Sequence, residues 1–310
     1  MLAALATAFF FAGSAIFAAR AAQWIGASAA NLSRMIIALA LLAIWAHGWG
    51  KGWNGASLPY FMVSGVIGFG LGDLAFFHAL PRIGPRLAIM LTQCLAAPIA
   101  MITEGLWLGI RPTGSELSWS LLILLGVCVA LAPDRKTFPT STVMQGTQRV
   151  IWIGGALGVV AAFGQGFGAV VSRKAFHVAS GEGILIDGGT AAYQRMMGGL
   201  AFMLCIFMAT QAWKALQGKI PLPNTVSVAT RWKCAAPWIV INALAGPVLG
   251  IACYQHALFT TPSGIVLPVV ATAPILAMPL AFFLNGERPS LRSIAGGLLA
   301  VAGAIALVSR

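Results

Sequence analysis

The sequence predicts an all-α integral membrane protein in which ten transmembrane helices form two inverted five-helix repeats. Composition is the first observation, because 59% of the 310 residues are hydrophobic and only 8% are charged. A soluble domain carries about a quarter charged residues, whereas a membrane span needs about 20 consecutive apolar residues. A series of apolar runs of this length is the second observation, and an internal repeat is the third.

The net charge of +12 does not indicate a nucleic-acid partner. The basic residues are spread singly and in pairs between apolar runs, as loop anchors are in membrane proteins. The five cysteines form no C-x-x-C pair, so neither a disulfide framework nor a metal site is predicted. We expect no cofactor, and the lipid bilayer is the first partner that the composition indicates.

Ten apolar runs are separated by polar or Pro- and Gly-containing segments. They occupy residues 2–19, 32–49, 58–80, 86–108, 117–133, 150–171, 190–212, 236–258, 263–284 and 293–308. The segments "PRIGPR" (81–86) and "TTPSG" (260–264) supply the residues that reverse a helix direction. The first run has no preceding basic residues, so it is predicted to be a retained span rather than a cleaved signal peptide.

The two halves of the chain repeat each other. The matching segments are "NLSRMIIALALL" (31–42) with "AYQRMMGGLAFM" (192–203), "FFHALPRIGPRLAIML" (76–91) with "YQHALFTTPSGIVLPV" (254–269), and "GIRPTGSELSWSLLILLGVCVAL" (109–131) with "GERPSLRSIAGGLLAVAGAIAL" (286–307). Five spans per half is an odd number, so the second copy enters the membrane inverted. The predicted units are 1–133 and 150–310, with a connecting loop at 134–149. Inverted repeats around a central substrate path are typical of secondary transporters.

These features resemble the EamA-type permeases of the drug/metabolite transporter superfamily. The resemblance covers almost the whole chain and includes the paired Arg-Met span starts and the "L-N-G-E-R-P" turn at 284–289. It implies a bacterial inner-membrane permease that exports or exchanges amino acids, other metabolites or drugs. Two departures stand out: Ile110 occupies the position of Glu287, and Asp73 corresponds to Leu249 or Gly250.

Depth in the membrane singles out Asp73 and Gln93. With a hairpin tip near Ile83, each lies ten residues away, which is about 15 Å and close to the bilayer centre. A charged carboxylate that faces lipid there costs at least about 3 kcal/mol. We therefore expect Asp73 to face the bundle interior, to be protonated or to pair with a donor such as Gln93. It is either a proton- or substrate-amine site or a packing residue.

Two matched pairs of basic residues are further candidates. His78 and His256 precede their hairpin tips at equivalent places, where they either flank the path or lie near the headgroups as helix-end residues. Arg34 and Arg195 begin their spans, where they either extend to the interface or bind an anionic substrate group.

Polar residues in other spans complete the predicted site. Gln165 and Tyr254 could bond a solute or join two helices. Pro274 frees a backbone carbonyl that must face protein or a water-filled cavity, so the site is expected beside it. Glu104, close to Trp107 in sequence, is predicted to be interfacial.

We predict a secondary transporter that exports or exchanges small metabolites such as amino acids by alternating access, with protons as the candidate coupling ion. The alternatives within transport are a drug efflux permease and a nucleotide-sugar-type antiporter. An intramembrane enzyme is the alternative outside transport. It would need a catalytic constellation, yet the one close acid and histidine pair, Asp73 and His78, lies on different helix faces. No enzymatic activity is therefore predicted.

Membrane orientation is the point at which two arguments disagree. With ten spans, five Lys and Arg residues lie on the side of the termini and twelve lie on the opposite side. The positive-inside rule then places the termini outside, whereas the resemblance implies cytoplasmic termini. Both orientations stay open.

Overall fold

The computed structural model describes residues 1–53, 55–131, 147–217, 227–285 and 290–308, and these contain helices and turns but no strand. Eight helices in these ranges are long and apolar enough to cross a membrane. Two further apolar helical stretches, Ser263–Pro279 and Leu291–Leu307, are shorter.

Twelve α-helices occur in the described ranges. They are α1 (Leu2–Ile25), α2 (Ala27–Gly48), α3 (Leu58–Gly65), α4 (Asp73–Trp107), α5 (Gly114–Leu131), α6 (Thr147–Gly181), α7 (Gly188–Leu216), α8 (Val228–Ala243), α9 (Ile251–Thr260), α10 (Ser263–Val270), α11 (Ala273–Asn285) and α12 (Leu291–Val308). The predicted loop at 134–149 lies largely outside the described residues, and its last three residues already belong to α6. Glu287, in the predicted turn before α12, also lies outside them.

The predicted reversal at 81–86 lies within α4, which is helical from Asp73 to Trp107, although Pro81 and Pro85 have no N–H to donate to the preceding turn. Ser64 donates a hydrogen bond to the Gly168 carbonyl of α6 (2.6 Å), and Gln165 of α6 donates one to Gln93 (2.9 Å). A straight helix from residue 64 to residue 93 would be about 43 Å long, yet their partners on α6 are only about 4.5 Å apart along its axis. The chain therefore turns back between them, and both arms pack on α6.

The second predicted reversal interrupts the helix. Residues 261 and 262 separate α9 from α10 and form the turn that "TTPSG" predicts. The span predicted at 263–284 is not continuous, because residues 271 and 272 separate α10 from α11. Pro274 follows this interruption, and its ring nitrogen has no hydrogen to donate to the preceding turn.

Two π-helical segments occupy matching places in the halves. Val66–Gly72 joins α3 to α4, and Leu244–Gly250 joins α8 to α9. Each is seven residues long and each precedes the helix with the repeated His-Ala-Leu. The first is therefore followed by Asp73 and the second by Ile251, which corrects the sequence assignment of Leu249 or Gly250 as the counterpart of Asp73.

The last helices of the two halves, α5 and α12, pack closely and antiparallel. Gly126 lies against Ala300 and Gly296, whereas Gly303 lies against Ile123. Later positions of α12 therefore contact earlier positions of α5, so the two helices run in opposite directions. Small residues at such a contact let two helix backbones approach closely, which favours helix association in lipid.

We expect Gly126→Ala to lower the melting temperature of the detergent-solubilised protein by several degrees. An added Cβ would lie 2.5 Å from the Ala300 nitrogen and 2.7 Å from the Gly296 oxygen, so two backbones would have to move apart. Gly155→Ala is the matched control, because nothing lies within 4 Å of its added Cβ and alanine favours a helix. Equal melting temperatures for the two variants would contradict the close packing of α5 and α12.

Candidate functional site

A cavity of about 460 Å³ lies between the two halves of the chain. Both π-helical segments contribute to it, together with α1, α2, α4, α6, α7 and α9. Its walls are mostly apolar, and their larger side chains are Phe11, Met35, Phe69, Phe76, Ile89, Met196 and Ile251. Its volume lies within the range of small-molecule sites, which are commonly apolar clefts of about 300–1,000 Å³ with a few polar groups.

Six of the eight residues predicted to form a site line this cavity. They are Arg34, Asp73, Gln93, Gln165, Arg195 and Tyr254. Pro274, which was expected beside the site, is not among the lining residues. The cavity thus collects the mid-membrane polar side chains of five separate helices.

The two predicted histidines lie outside the cavity, and both side chains are exposed. His78 follows Asp73 by five residues, which turns it about 140° away around the helix. Its Nδ1 lies 2.8 Å from the Leu74 carbonyl of its own helix. His256 follows Tyr254 by two residues and so points to nearly the opposite side of α9. Both histidines therefore lie away from this cavity, and a role for them beside a transport path stays a prediction.

Asp73 forms an ion pair with Arg34 rather than with Gln93. The Arg34 Nη2 atom lies 3.6 Å from Asp73 Oδ2, and the Arg34 Nε atom donates a hydrogen bond to Asn31 Oδ1 (2.7 Å). Gln93 instead accepts a hydrogen bond from Gln165. The carboxylate faces the bundle interior, as its expected depth requires, and a guanidinium from α2 partly neutralises it.

Arg195 has no such partner. Only 3% of the residue is exposed. Its guanidinium carbon lies 5.0 Å from the centre of the Phe69 ring and 5.7 Å from that of Tyr254. In the described part of the chain, Arg195 Nε and Arg195 Nη1 have no hydrogen-bond partner within the usual geometric limits, and the guanidinium interacts with the neighbouring Tyr254 hydroxyl. A guanidinium is attracted to aromatic faces, but this attraction leaves its N–H donors unused.

Glycines make room for the Arg195 guanidinium. A side chain at Gly68 would occupy the place of Arg195 Nη2, and a Cβ at Gly168 would lie 3.3 Å from the same atom. Gly68 belongs to the first π-helical segment and Gly168 to α6. A π-helical segment of the first half and a helix of the second half therefore leave the space that the guanidinium fills.

The start of α7 fixes the position of Arg195 along its helix. Asp187 accepts hydrogen bonds from the backbone nitrogens of Gly189 (2.9 Å) and Thr190 (3.0 Å) and from the Trp45 indole (2.8 Å). Partial burial raises the pKa of Asp187, but these hydrogen bonds together with that of the Thr190 hydroxyl outweigh it and hold the pKa below its usual value. The charged cap also ties α7 to α2.

A second buried ion pair joins Glu104 to Arg173. Glu104 is only 2% exposed, so the protein encloses it near the end of α4, where an interfacial residue was predicted. Arg173 also donates to the carbonyls of Leu258 (2.5 Å) and Thr261 (2.7 Å), and Ser263 donates to Glu104 (2.6 Å). The pair, which we call the hairpin clamp, ties the turn between α9 and α10 to α4 and α6.

The cavity and the hairpin clamp lie at different depths. Arg195 is about 10 Å from the first residue of α7, and Tyr254 is about 9 Å from the last residue of α9. These two ends lie on the side of the chain termini, where the hairpin clamp also lies. On the opposite side the lining extends to Ala22, about 4.5 Å from the end of α1. More protein therefore covers the cavity on the side of the termini.

The site contains charged and amide groups but no cluster typical of metal binding. Within the described ranges no group of three His, Cys, Asp or Glu side chains could hold a metal ion. The arrangement can bind a polar group by guanidinium, hydroxyl and amide contacts and an apolar body against aromatic and methionine side chains.

Comparison with known proteins gives a family and a fold. The model of the "EamA-like transporter family" matches residues 1–132 and 152–309. No curated protein matches the chain. A solved structure described as "Crystal structure of protein" superposes with a TM-score of 0.62 at 20% sequence identity, over 97% of this chain and 95% of that chain.

We expect a cysteine at Gln165 to react with a small water-soluble thiol reagent, because the thiolate that reacts forms only where water reaches it. The five native cysteines are first replaced by alanine. Val160→Cys is the control, because Val160 lies on the same helix but is exposed on the outer face of the bundle. Labelling is measured by mass spectrometry. Labelling of Val160→Cys alone, or of neither position, would show that the reagent does not enter this cavity.

Proposed function

The chain belongs to the EamA-like transporter family, and on that premise we propose that it is a secondary transporter that moves small metabolites such as amino acids by alternating access. Membership of the family makes it an integral membrane protein and a transporter of the drug/metabolite type. The observation that carries the proposal is the cavity between the halves, which is lined by the buried Arg195 and the half-buried Arg34 and Asp73 and has more protein over it on the side of the termini. A bacterial inner membrane and an exporting or exchanging direction belong to the same proposal.

Inverted repeats support the alternating-access part of the proposal. The eight long apolar helices and the two shorter stretches would give ten spans, five in each half. The matching helices α5 and α12 run antiparallel, as an axis in the membrane plane requires. The end of α2 also lies against the start of its matching helix α7. The Nε2 atom of His47, near the end of α2, lies 3.2 Å from the hydroxyl oxygen of Tyr193, near the start of α7. Rocking of one half against the other would expose the cavity on either side.

A drug efflux permease is the second candidate function. The three phenylalanines and two methionines of the cavity wall favour an amphiphilic solute, and methionine side chains adapt to ligands of different shape. The buried charges favour a metabolite instead, because a broad apolar solute would leave them without a partner.

Asp73 is the candidate proton-coupling residue. It faces the cavity, and Arg34 on α2 and Arg195 on α7 are the charged side chains that line the same cavity. Protonation of Asp73 would release Arg34, and ionisation would bind it again. A proton could thus exchange with a substrate group at the same guanidinium.

We expect purified protein in liposomes to move at least one solute of a metabolite panel, and to move it faster with a pH gradient. Asp73→Asn keeps the size of the side chain but cannot titrate, so it should remain folded and lose the dependence on the gradient. Flux of radiolabelled solutes and melting temperature are the two measurements.

Glu116→Gln is the matched control, because Glu116 caps α5 outside the cavity and its loss should leave the gradient dependence intact. Absence of flux for every solute would contradict the transport function. An unchanged pH profile in Asp73→Asn would contradict coupling through this carboxyl.

The hairpin clamp generates a stability prediction. Glu104→Gln and Arg173→Gln should each lower stability strongly, by about 3–5 kcal/mol, because each leaves an unpaired buried charge. The double variant has no such charge, so it should lose clearly less than the sum of the single losses. Melting temperatures of the four proteins in one detergent measure this coupling. Additive losses would show that the two side chains act independently and that no clamp holds the turn.

A further inference from the structure

Resting on the proposed transport function, we propose that the cavity selects organic monoanions, with one carboxylate held by Arg195 and an apolar body against the aromatic walls. A primary ammonium on the same solute would add nothing to its binding. The substrate class is then a carboxylate with an apolar body, and an amino acid would be one member that is recognised by its carboxylate alone.

The hydrogen-bond donors of Arg195 are the first argument for a carboxylate ligand. Arg195 is buried, lines the cavity and has two N–H-bearing nitrogens, Nε and Nη1, without a partner among the described residues. A buried donor without a partner costs free energy that a ligand can recover. Planar guanidinium donors match the two oxygens of a carboxylate. The Tyr254 hydroxyl, which interacts with this guanidinium, lies in the same cavity and can direct its own hydrogen to a bound carboxylate.

The charge of the cavity carries the second step. Among the described residues, the charged side chains that line it are Arg34, Arg195 and Asp73, two positive groups and one negative group. A bound monoanion brings their sum to zero, a zwitterion leaves it at +1 and a monocation raises it to +2. The apolar walls lower the effective dielectric constant inside the cavity, so an uncompensated charge is costly and affinity should fall in that order.

The ion pair between Asp73 and Arg34 is the third argument for a preference for anions. Among the described residues, Asp73 is the acid that lines the cavity, so an ammonium group would have to find its carboxylate partner there. That carboxylate already lies 3.6 Å from Arg34, so the ammonium would bind next to a guanidinium of the same sign. The gain from the carboxylate is then offset by repulsion from the arginine.

Three compounds with the same aromatic body separate these charges: 3-phenylpropanoate has the carboxylate, phenethylamine has the ammonium and phenylalanine has both. Binding to the purified full-length protein in detergent is measured by isothermal titration. We expect 3-phenylpropanoate to bind at least about 10-fold more tightly than phenethylamine, because a hydrogen bond to a charged group contributes about 1.5–3 kcal/mol. It should bind at least as tightly as phenylalanine.

Two variants of Arg195 and one control variant test whether Arg195 is responsible for the preference for carboxylates. Arg195→Gln should weaken 3-phenylpropanoate by about 10-fold or more and leave phenethylamine unchanged or tighter. Arg195→Lys keeps the charge without the planar donors and should fall between. Arg82→Gln removes an exposed arginine outside the cavity and should bind all three compounds as the original protein does.

Equal or tighter binding of phenethylamine, unchanged affinity in Arg195→Gln, or failure of all three compounds to bind would each overturn the proposal. The ranking of the compounds on the original protein decides the matter even if an Arg195 variant does not fold. Binding is measured independently of solute flux, so the two proposals can fail separately. A protein that binds carboxylates selectively but moves no solute in liposomes would contradict the transport function and support the anion site.

Discussion

The cost of a charge away from water is the constraint on which the interior of this protein depends. Among the described residues, Asp73 and Glu104 lie inside the bundle, and each has an arginine within ion-pair distance. Neither acid could stay ionised against lipid without a large penalty. Arg195 is the exception, because two aromatic rings lie against it, no carboxylate lies within ion-pair distance among the described residues, and its Nε and Nη1 atoms have no hydrogen-bond partner there. A charge that is paired within the protein can hold helices together, whereas a charge without such a partner favours the binding of a ligand of opposite charge.

Close helix packing makes that arrangement of charges possible. Lipid does not drive apolar side chains together, so helices associate where small residues let their backbones touch. Glycines at the contact of α5 with α12 serve this purpose. Those beside Arg195 serve a different one, because the space that Gly68 and Gly168 leave is filled by a guanidinium. The π-helical segment that contains Gly68 also widens the helix next to the cavity, which is a common place for such segments.

Hydropathy and local spacing predicted much of this fold, since span length and the order of the repeat are properties of neighbouring residues. Depth along a hairpin placed Asp73 and Gln93 at the level of the cavity. The direction of His78 away from Asp73 could be predicted from the sequence, because a spacing of five residues implies a different helix face. The burial of Glu104 could not, since Arg173 lies 69 positions away and only the packing of α4 on α6 brings them together. The continuity of helix through 81–86 likewise depends on the tertiary packing of both arms.

The repeat explains why one arginine is paired and the other is not. Arg34 and Arg195 occupy equivalent places, each followed by methionine near the start of matching helices. Asp73 has no acidic equivalent, because Ile251 follows the second π-helical segment. The first half therefore neutralises its own guanidinium, whereas the second half presents an apolar side chain beside the cavity that Arg195 lines. A symmetric pair of acids would have left the cavity without net charge. This departure from symmetry leaves the described lining residues with one positive charge. A carboxylate is the ligand group that best neutralises it.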